Sequence, residues 1–189
     1  MPGVLLVAAT QLELCGRDGL ECGVGPVEAA VATARALATG PGFGAVLHVG
    51  LAGAIAIPPG VVVVGSESRY DDLVAEWPVV DRVAPDARLV EAARTALPGA
   101  PLLPISTSAT VGGACNTVSQ GQLVQAMEGF GVLRAAVLAG VPAVEVRAIS
   151  NELGEEDRGR WHVPRALESL GAALPVLLAA LESATGGRG

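Results

Sequence analysis

The sequence predicts one α/β domain built on a mostly parallel central sheet. Short apolar runs alternate with longer segments of helical spacing along the 189 residues, the pattern produced by right-handed crossovers between parallel strands. Half of the residues are apolar, supplied by Val, Ala, Leu and Gly, while aromatics make up only 3%. That composition suits strands buried on both faces with helices packed closely over them. The length fits one domain by the usual span of roughly 100–200 residues. Residues 1–183 are expected to form it, with 184–189 as a flexible C-terminal tail.

The elements follow in order. Val4 to Ala9 is an apolar run ending at Thr10-Gln11 and reads as a buried strand. Gly25-Pro26 opens a helix from Val27 to about Ala38, with Pro26 at the favoured first position. Ala45 to Leu51 is a second strand that enters Gly50-Leu51-Ala52-Gly53. Pro58-Pro59-Gly60 marks a turn before a third strand, Val61 to Gly65. Asp86 to Leu97 reads as helix, Leu102 to Ser106 as strand, and Gly131 to Ala139 as a helix ended by Gly140. Ala143 to Ile149 is again a strand, followed by a charged loop through Arg160. The last helix is expected from about Pro164 to Leu181. In such sheets ligands gather beyond the carboxyl ends of the strands. Three polar or glycine-rich turns fall there: Thr10-Gln11-Leu12-Glu13, Gly50-Leu51-Ala52-Gly53 and Ser150-Asn151.

Composition excludes several kinds of chemistry. All twelve basic residues are arginine, so Schiff bases and a P-loop lysine are ruled out. A net charge of −7 argues against tracking nucleic-acid phosphates. Two histidines far apart leave little for a metal, and no cofactor is expected. No apolar run approaches the roughly 20 residues needed to span a bilayer. The start lacks a basic region ahead of its apolar stretch, against a secretory signal. Cys15, Cys22 and Cys115 are odd in number and lack metal-like spacing, which favours reduced thiols and a cytoplasmic setting.

Carboxylates and amides are left to carry the chemistry. Glu128 precedes Gly129-Phe130-Gly131, and its two oxygens suit a sugar diol; a helix-start glutamate would look the same. Asn151 closes an apolar strand and its amide suits a purine edge, although asparagine also favours turns. Glu13, just after the first strand, can serve as a general base or as an exposed loop residue. Gly50-Leu51-Ala52-Gly53 permits close backbone approach to a ligand, or simply tight packing. Gly23-Val24-Gly25 lacks the third glycine and acidic partner of a dinucleotide fingerprint. His48, inside an apolar strand, reads as a hydrogen-bonded core residue. Cys115, beside Asn116, has no evident histidine partner and makes a poor nucleophile.

Together, Met127-Glu128-Gly129-Phe130-Gly131-Val132 and Val146-Arg147-Ala148-Ile149-Ser150-Asn151 resemble the carboxyl-terminal signature of the purine nucleoside phosphorylase and nucleosidase superfamily. Gly23-Val24-Gly25-Pro26-Val27, His48-Val49-Gly50-Leu51-Ala52-Gly53, and Gly60-Val61-Val62-Val63-Val64 with Glu67 and Tyr70 fall in the matching order. The resemblance implies a nucleoside phosphorylase-like fold, a three-layer sandwich with a mixed sheet between helices. Within the superfamily the chain is similar to the futalosine hydrolases, nucleosidases of menaquinone biosynthesis. The features behind this are Met127-Glu128-Gly129-Phe130, Asp72-Leu73-Val74-Ala75-Glu76, Asn151, and Asp157-Arg158 ahead of Trp161.

The resemblance implies roles for particular residues. Glu13 would deprotonate the attacking water, and Glu128 would hold the ribose hydroxyls with Met127 packed on the sugar. Asn151 would contact the base, while Phe130 and Gly53 would shape the pocket. From charge alone, and not from the resemblance, Arg158 or Arg160 is expected to meet a carboxylate on the substrate. Asn151 stands where methylthioadenosine nucleosidases usually carry the aspartate taken to protonate the purine. Leu51 stands where many nucleosidases place a serine. The expected partner is a small nucleoside, not nucleic acid or membrane, and the assembly a homo-oligomer. Open alternatives are a methylthioadenosine/adenosylhomocysteine or aminodeoxyfutalosine nucleosidase, a nucleoside phosphorylase, and an inactive nucleoside-binding protein.

Overall fold

Strand β1 (Val4–Ala8) is buried along almost its whole length, as its unbroken apolar run requires. The computed structural model of the chain describes residues 3–110 and 124–186; Cys115 and Asn116 lie outside the described residues. After β1 come β2 (Leu20–Glu21), α1 (Pro26–Thr39), β3 (Ala45–Ala54), β4 (Val62–Tyr70) and β5 (Arg82–Val83). Then follow α2 (Ala87–Ala96), β6 (Leu102–Thr107), β7 (Val124–Ala126), α3 (Gly129–Leu138), β8 (Ala143–Glu152) and α4 (Val163–Gly186), with a 3-10 turn at Arg158–Arg160 between the last two.

The helix ends have local causes. Pro26 opens α1 behind Gly25, whose φ of 99° places it in the left-handed region. Asp86 caps α2 by accepting the N–H groups of Arg88 (2.9 Å) and Leu89 (3.2 Å). Gly140, at φ 69°, ends α3.

The mixed, mostly parallel sheet expected from the sequence is present, with helices on both faces. β1 pairs in parallel with β2 and β3, and β3 with β8; β4 pairs in parallel with β6, and β6 with β7. The antiparallel pairings are β3–β7, β4–β5 and β4–β8. Consequently β3, β8, β4, β6 and β7 close on one another in a ring at one end of the sheet. Ring closure needs long, bent strands. β4 supplies the bend through a register irregularity between Gly65 and Glu67, which carries it to Tyr70, beyond the expected end at Gly65.

Among the described residues, three apolar clusters form the core. α4 and α2 pack on one face through Leu170, Leu174, Leu177, Leu181, Leu89 and Ala93. α1 and α3 cover the other through Ala29, Val132, Leu133 and Ala136. Inside the ring, Ala52, Val63, Ile105, Val124 and Ile149 meet. α4 is long and apolar enough to cross a bilayer by length and composition, contrary to the expectation that no run approached that span. Its row of leucines at helical spacing instead packs on the sheet. α4 also continues through Gly186, so the expected tail is helical over its first three residues; 187–189 lie outside the described residues.

Candidate active site

The carboxyl ends of β1, β3 and β8, parallel neighbours in the sheet, meet at a cavity of about 360 Å³. Its wall carries Glu13, Gly53, Met127, Glu128, Asn151 and Arg158, so six of the seven residues expected from the sequence come together. Phe130 does not line it. Its ring stacks on Tyr70 with centroids 5.2 Å apart and packs into the α1–α3 core. A residue one step into a buried helix, following Gly129, faces the sheet rather than the opening.

Glu13 sits in a tight turn in which its own N–H donates to Thr10 O and that of Cys15 to Leu12 O. Cys15 takes a left-handed conformation, φ 51°, to turn the chain. The Glu13 carboxylate is held at both oxygens. Oε2 accepts Thr10 N–H (3.0 Å) and Thr10 Oγ1–H (2.8 Å), and Oε1 accepts Leu51 N–H (2.9 Å). With 9% of the residue exposed, its carboxylate reaches the cavity in a fixed orientation. Gly50 makes this possible: a Cβ there would meet Glu13 Oε1 at 2.8 Å.

Glu128 stands between β7 and α3 but turns away from the start of its own helix. Oε1 accepts the N–H of Gly25 at the N-terminus of α1 (3.1 Å), and Oε2 faces Arg147 Nη1 at 3.4 Å. Burial raises its pKa above the usual carboxylate value, with Arg147 and the Gly25 N–H opposing that shift and Glu13 and Glu145 adding to it.

Beneath the cavity lies a charged cluster that the sequence reading did not single out. Arg147 is fully buried. Its Nε donates to Glu145 Oε1 at 2.8 Å, and its Nη2 to His48 Nε2. His48 Nδ1–H donates to Val7 O (3.2 Å), which leaves Nε2 free to accept. Burial first, and then Arg147, push the His48 pKa well below 6.5, so the ring is neutral. Burial also opposes the charge on Arg147, but Glu145, Glu128 and Glu13 outweigh it and hold its pKa above the ordinary value. The signal was in the sequence: Glu145 and Arg147 are two apart in an apolar strand, and therefore share a face.

Asn151 reaches the wall through a register shift. Ala52 pairs with Ile149 but Gly53 with Asn151, so Ser150 is the extra residue that re-aims β8. Ser150 Oγ–H donates to Asn151 Oδ1 (2.7 Å), and Asn151 Nδ2–H to Glu152 O (2.9 Å). Since a carbonyl only accepts, the network fixes which end of the amide is nitrogen. Arg158 lies over Trp161, 5.9 Å from its ring centre, and among the described residues it forms no ion pair. Arg160 is paired with Glu155 at 2.8 Å and is absent from the wall.

Comparison with known proteins agrees with this architecture. Residues 19–184 match the Phosphorylase superfamily. The chain is 37% identical over 190 aligned positions to a futalosine hydrolase of Streptomyces coelicolor, covering 89% of this chain and 81% of that protein. Among solved structures, the methylthioadenosine/adenosylhomocysteine nucleosidase of Colwellia psychrerythraea superposes with a TM-score of 0.83 at 20% identity, over 95% of this chain and 96% of that one. The Helicobacter pylori nucleosidase gives 0.83 at 16% identity, over 97% and 99%. The two structures share the fold; the match over residues 19–184 and the kinship with the Streptomyces protein show that this chain belongs to the Phosphorylase superfamily, in its futalosine hydrolase family.

Proposed function

We propose that this protein hydrolyses the N-glycosidic bond of futalosine, releasing hypoxanthine and dehypoxanthine futalosine. The observation that carries the reading is the placement of Glu13 and Glu128 on the wall of one cavity, with Asn151 on the same wall, in a chain 37% identical to a futalosine hydrolase.

In this reading Glu128 accepts the ribose hydroxyl protons and Met127 packs on the sugar. Glu13, already oriented by three donors, takes a proton from water as its oxygen bonds to the anomeric carbon. The C–N bond breaks, its electron pair leaves with the base, and the sugar passes through an oxocarbenium-like state. Around this point carboxylates outnumber buried Arg147, which suits developing positive charge. Asn151 has one Nδ2 hydrogen beyond that given to Glu152 O, so toward the base it is a donor. Hypoxanthine offers acceptors at both N7 and O6, and the departing anion collects its proton from solvent. Adenine carries an amine in place of O6, so a donor there meets a donor. Arg158, the arginine on the wall, is placed for the carboxylate of the substrate's aromatic tail.

Phosphorolysis fits the site poorly. Arg147 is committed to Glu145, Glu128 and His48, leaving Arg158 alone among the described wall residues as a cation. The deciding experiment is chromatographic measurement of free base from futalosine, aminodeoxyfutalosine and methylthioadenosine, with and without phosphate. Hypoxanthine from futalosine without phosphate is expected. Strict phosphate dependence, or faster release of adenine from either other substrate, overturns the reading.

A further inference from the structure

Glu145 is a buried carboxylate with no place in the reaction as written above. It is 1% exposed and absent from the cavity wall, so it cannot touch a nucleoside. One oxygen takes Arg147 Nε at 2.8 Å, and the other has no hydrogen-bond partner among the described residues. Room for it is cut into the start of α3: a Cβ on Gly129 would fall 2.2 and 2.3 Å from the two oxygens. That helix end also favours a negative charge.

We infer that Glu145 is a positioning residue for the hydrolysis, holding Arg147 back from the sugar-binding carboxylate so that Glu128 meets the substrate in place and without a close cationic partner. The inference rests on the hydrolase reading above. The guanidinium is held by two residues that do not line the cavity, Glu145 at Nε and neutral His48 at Nη2. Its reach toward Glu128 is long, 3.4 Å against 2.8 Å for Glu145. A buried cation must find a counter-charge. Without Glu145, the anions available to it are Glu128 and Glu13, the two that the reaction needs. A closer Arg147–Glu128 pair would turn a carboxylate oxygen from the ribose and cancel charge that stabilises the oxocarbenium-like state.

The test is Glu145→Gln, which keeps the shape and removes the charge. Its kcat/KM for futalosine is expected to fall about 10–100-fold, the scale of an ångström-sized misplacement, and the acid limb of its pH profile to move to lower pH. The groups facing Glu128 are Glu13 from the turn after β1, Cys22 after β2, the Gly25 N–H of α1, and Glu145 and Arg147 of β8. Removing Glu145 takes away repulsion and lets Arg147 approach, and both changes lower the pH at which Glu128 loses its charge. A merely structural role would leave the limb where it is. An unmoved limb in an active wild-type background overturns this inference alone, whereas wild-type protein that releases no hypoxanthine overturns the hydrolase reading and this with it. Should Glu145→Gln not fold, Arg147→Met is compared with Glu145→Gln/Arg147→Met. Equal rates support action through Arg147, and a further loss in the double variant overturns it.

Discussion

The N–H of Leu51 donates to Glu13 Oε1 at 2.9 Å, so the end of β3 aims a carboxylate carried by the turn after β1. Thr10 supplies two donors to the other oxygen, leaving the carboxylate little freedom. Such preorganisation is what a base needs to act on one water without first paying reorientation entropy. It also explains how leucine is tolerated where the resemblance anticipates serine: the backbone N–H is the group in use.

Glu13→Gln should therefore lower kcat for hypoxanthine release by about 10²–10⁴-fold, the usual contribution of a positioned base. The amide oxygen can satisfy Thr10 N–H, but its nitrogen then faces Leu51 N–H, donor against donor. A loss of about 1–3 kcal/mol in stability, seen as a lower thermal midpoint, should accompany the rate effect. A variant as fast as wild type shows that Glu13 is not the base.

Arg158→Ala should raise KM for futalosine about fivefold to tenfold with kcat nearly unchanged, because an exposed charge pair contributes about 1 kcal/mol. Arg160→Ala serves as its control. Its guanidinium is already paired with Glu155 and is absent from the wall, so KM should stay within about twofold by the same reasoning. The reverse ranking would move the carboxylate site to Arg160.

The sequence made the strand ends at Glu13, Gly53 and Asn151 legible because each closes an apolar run, and such ends converge on one side of a parallel sheet. β2, β5 and β7 were not legible, since two or three residues carry no periodicity. The polar stretch from Ser66 to Tyr70 hid the second half of β4, which is strand because β5 and β6 pair with it. Gly25 looked like a broken dinucleotide motif, whereas its N–H serves Glu128 from 103 residues away, a relation no local pattern encodes. Phe130 was misplaced for a related reason: adjacency in a motif does not determine which way a helical side chain faces.

His48 should make folding stability depend on pH. Its folded pKa lies well below 6.5, chiefly through burial and then through Arg147. The unfolded chain takes up a proton as pH falls through about 6.5, while the folded chain refuses it. The stability from His48 is thus complete above that pH and lost below it, by up to about 1.4 kcal/mol per pH unit. Glu128, with a raised pKa, acts in the opposite sense, so the histidine must be isolated by difference. Urea unfolding of wild type and His48→Gln should show wild type losing stability faster below about pH 6.5. Parallel curves would mean that the ring titrates alike in both states.

Gly50 and Gly53 look equivalent in the sequence and should behave very differently. A Cβ on Gly50 would lie 2.4 Å from Arg147 Nη1 and 2.8 Å from Glu13 Oε1. Both groups are buried and tied to other partners, so neither can yield without disturbing the hydrogen bonds that hold it. Gly50→Ala should cost about 1–3 kcal/mol in stability, as overpacking does, and reduce kcat by about 10²-fold through displacement of Glu13. A Cβ on Gly53 meets Asn151 Nδ2 at 3.0 Å and the end of the Leu153 side chain at 3.4 Å, contacts that a few tenths of an ångström relieve. Because Asn151 is the group nudged, Gly53→Ala should act mainly on recognition of the base, raising KM about threefold and costing under about 1.5 kcal/mol in stability. Steady-state kinetics and thermal melts of the two variants decide it, and equal losses of kcat would show that the cavity does not use Glu13 and Asn151 for separate tasks.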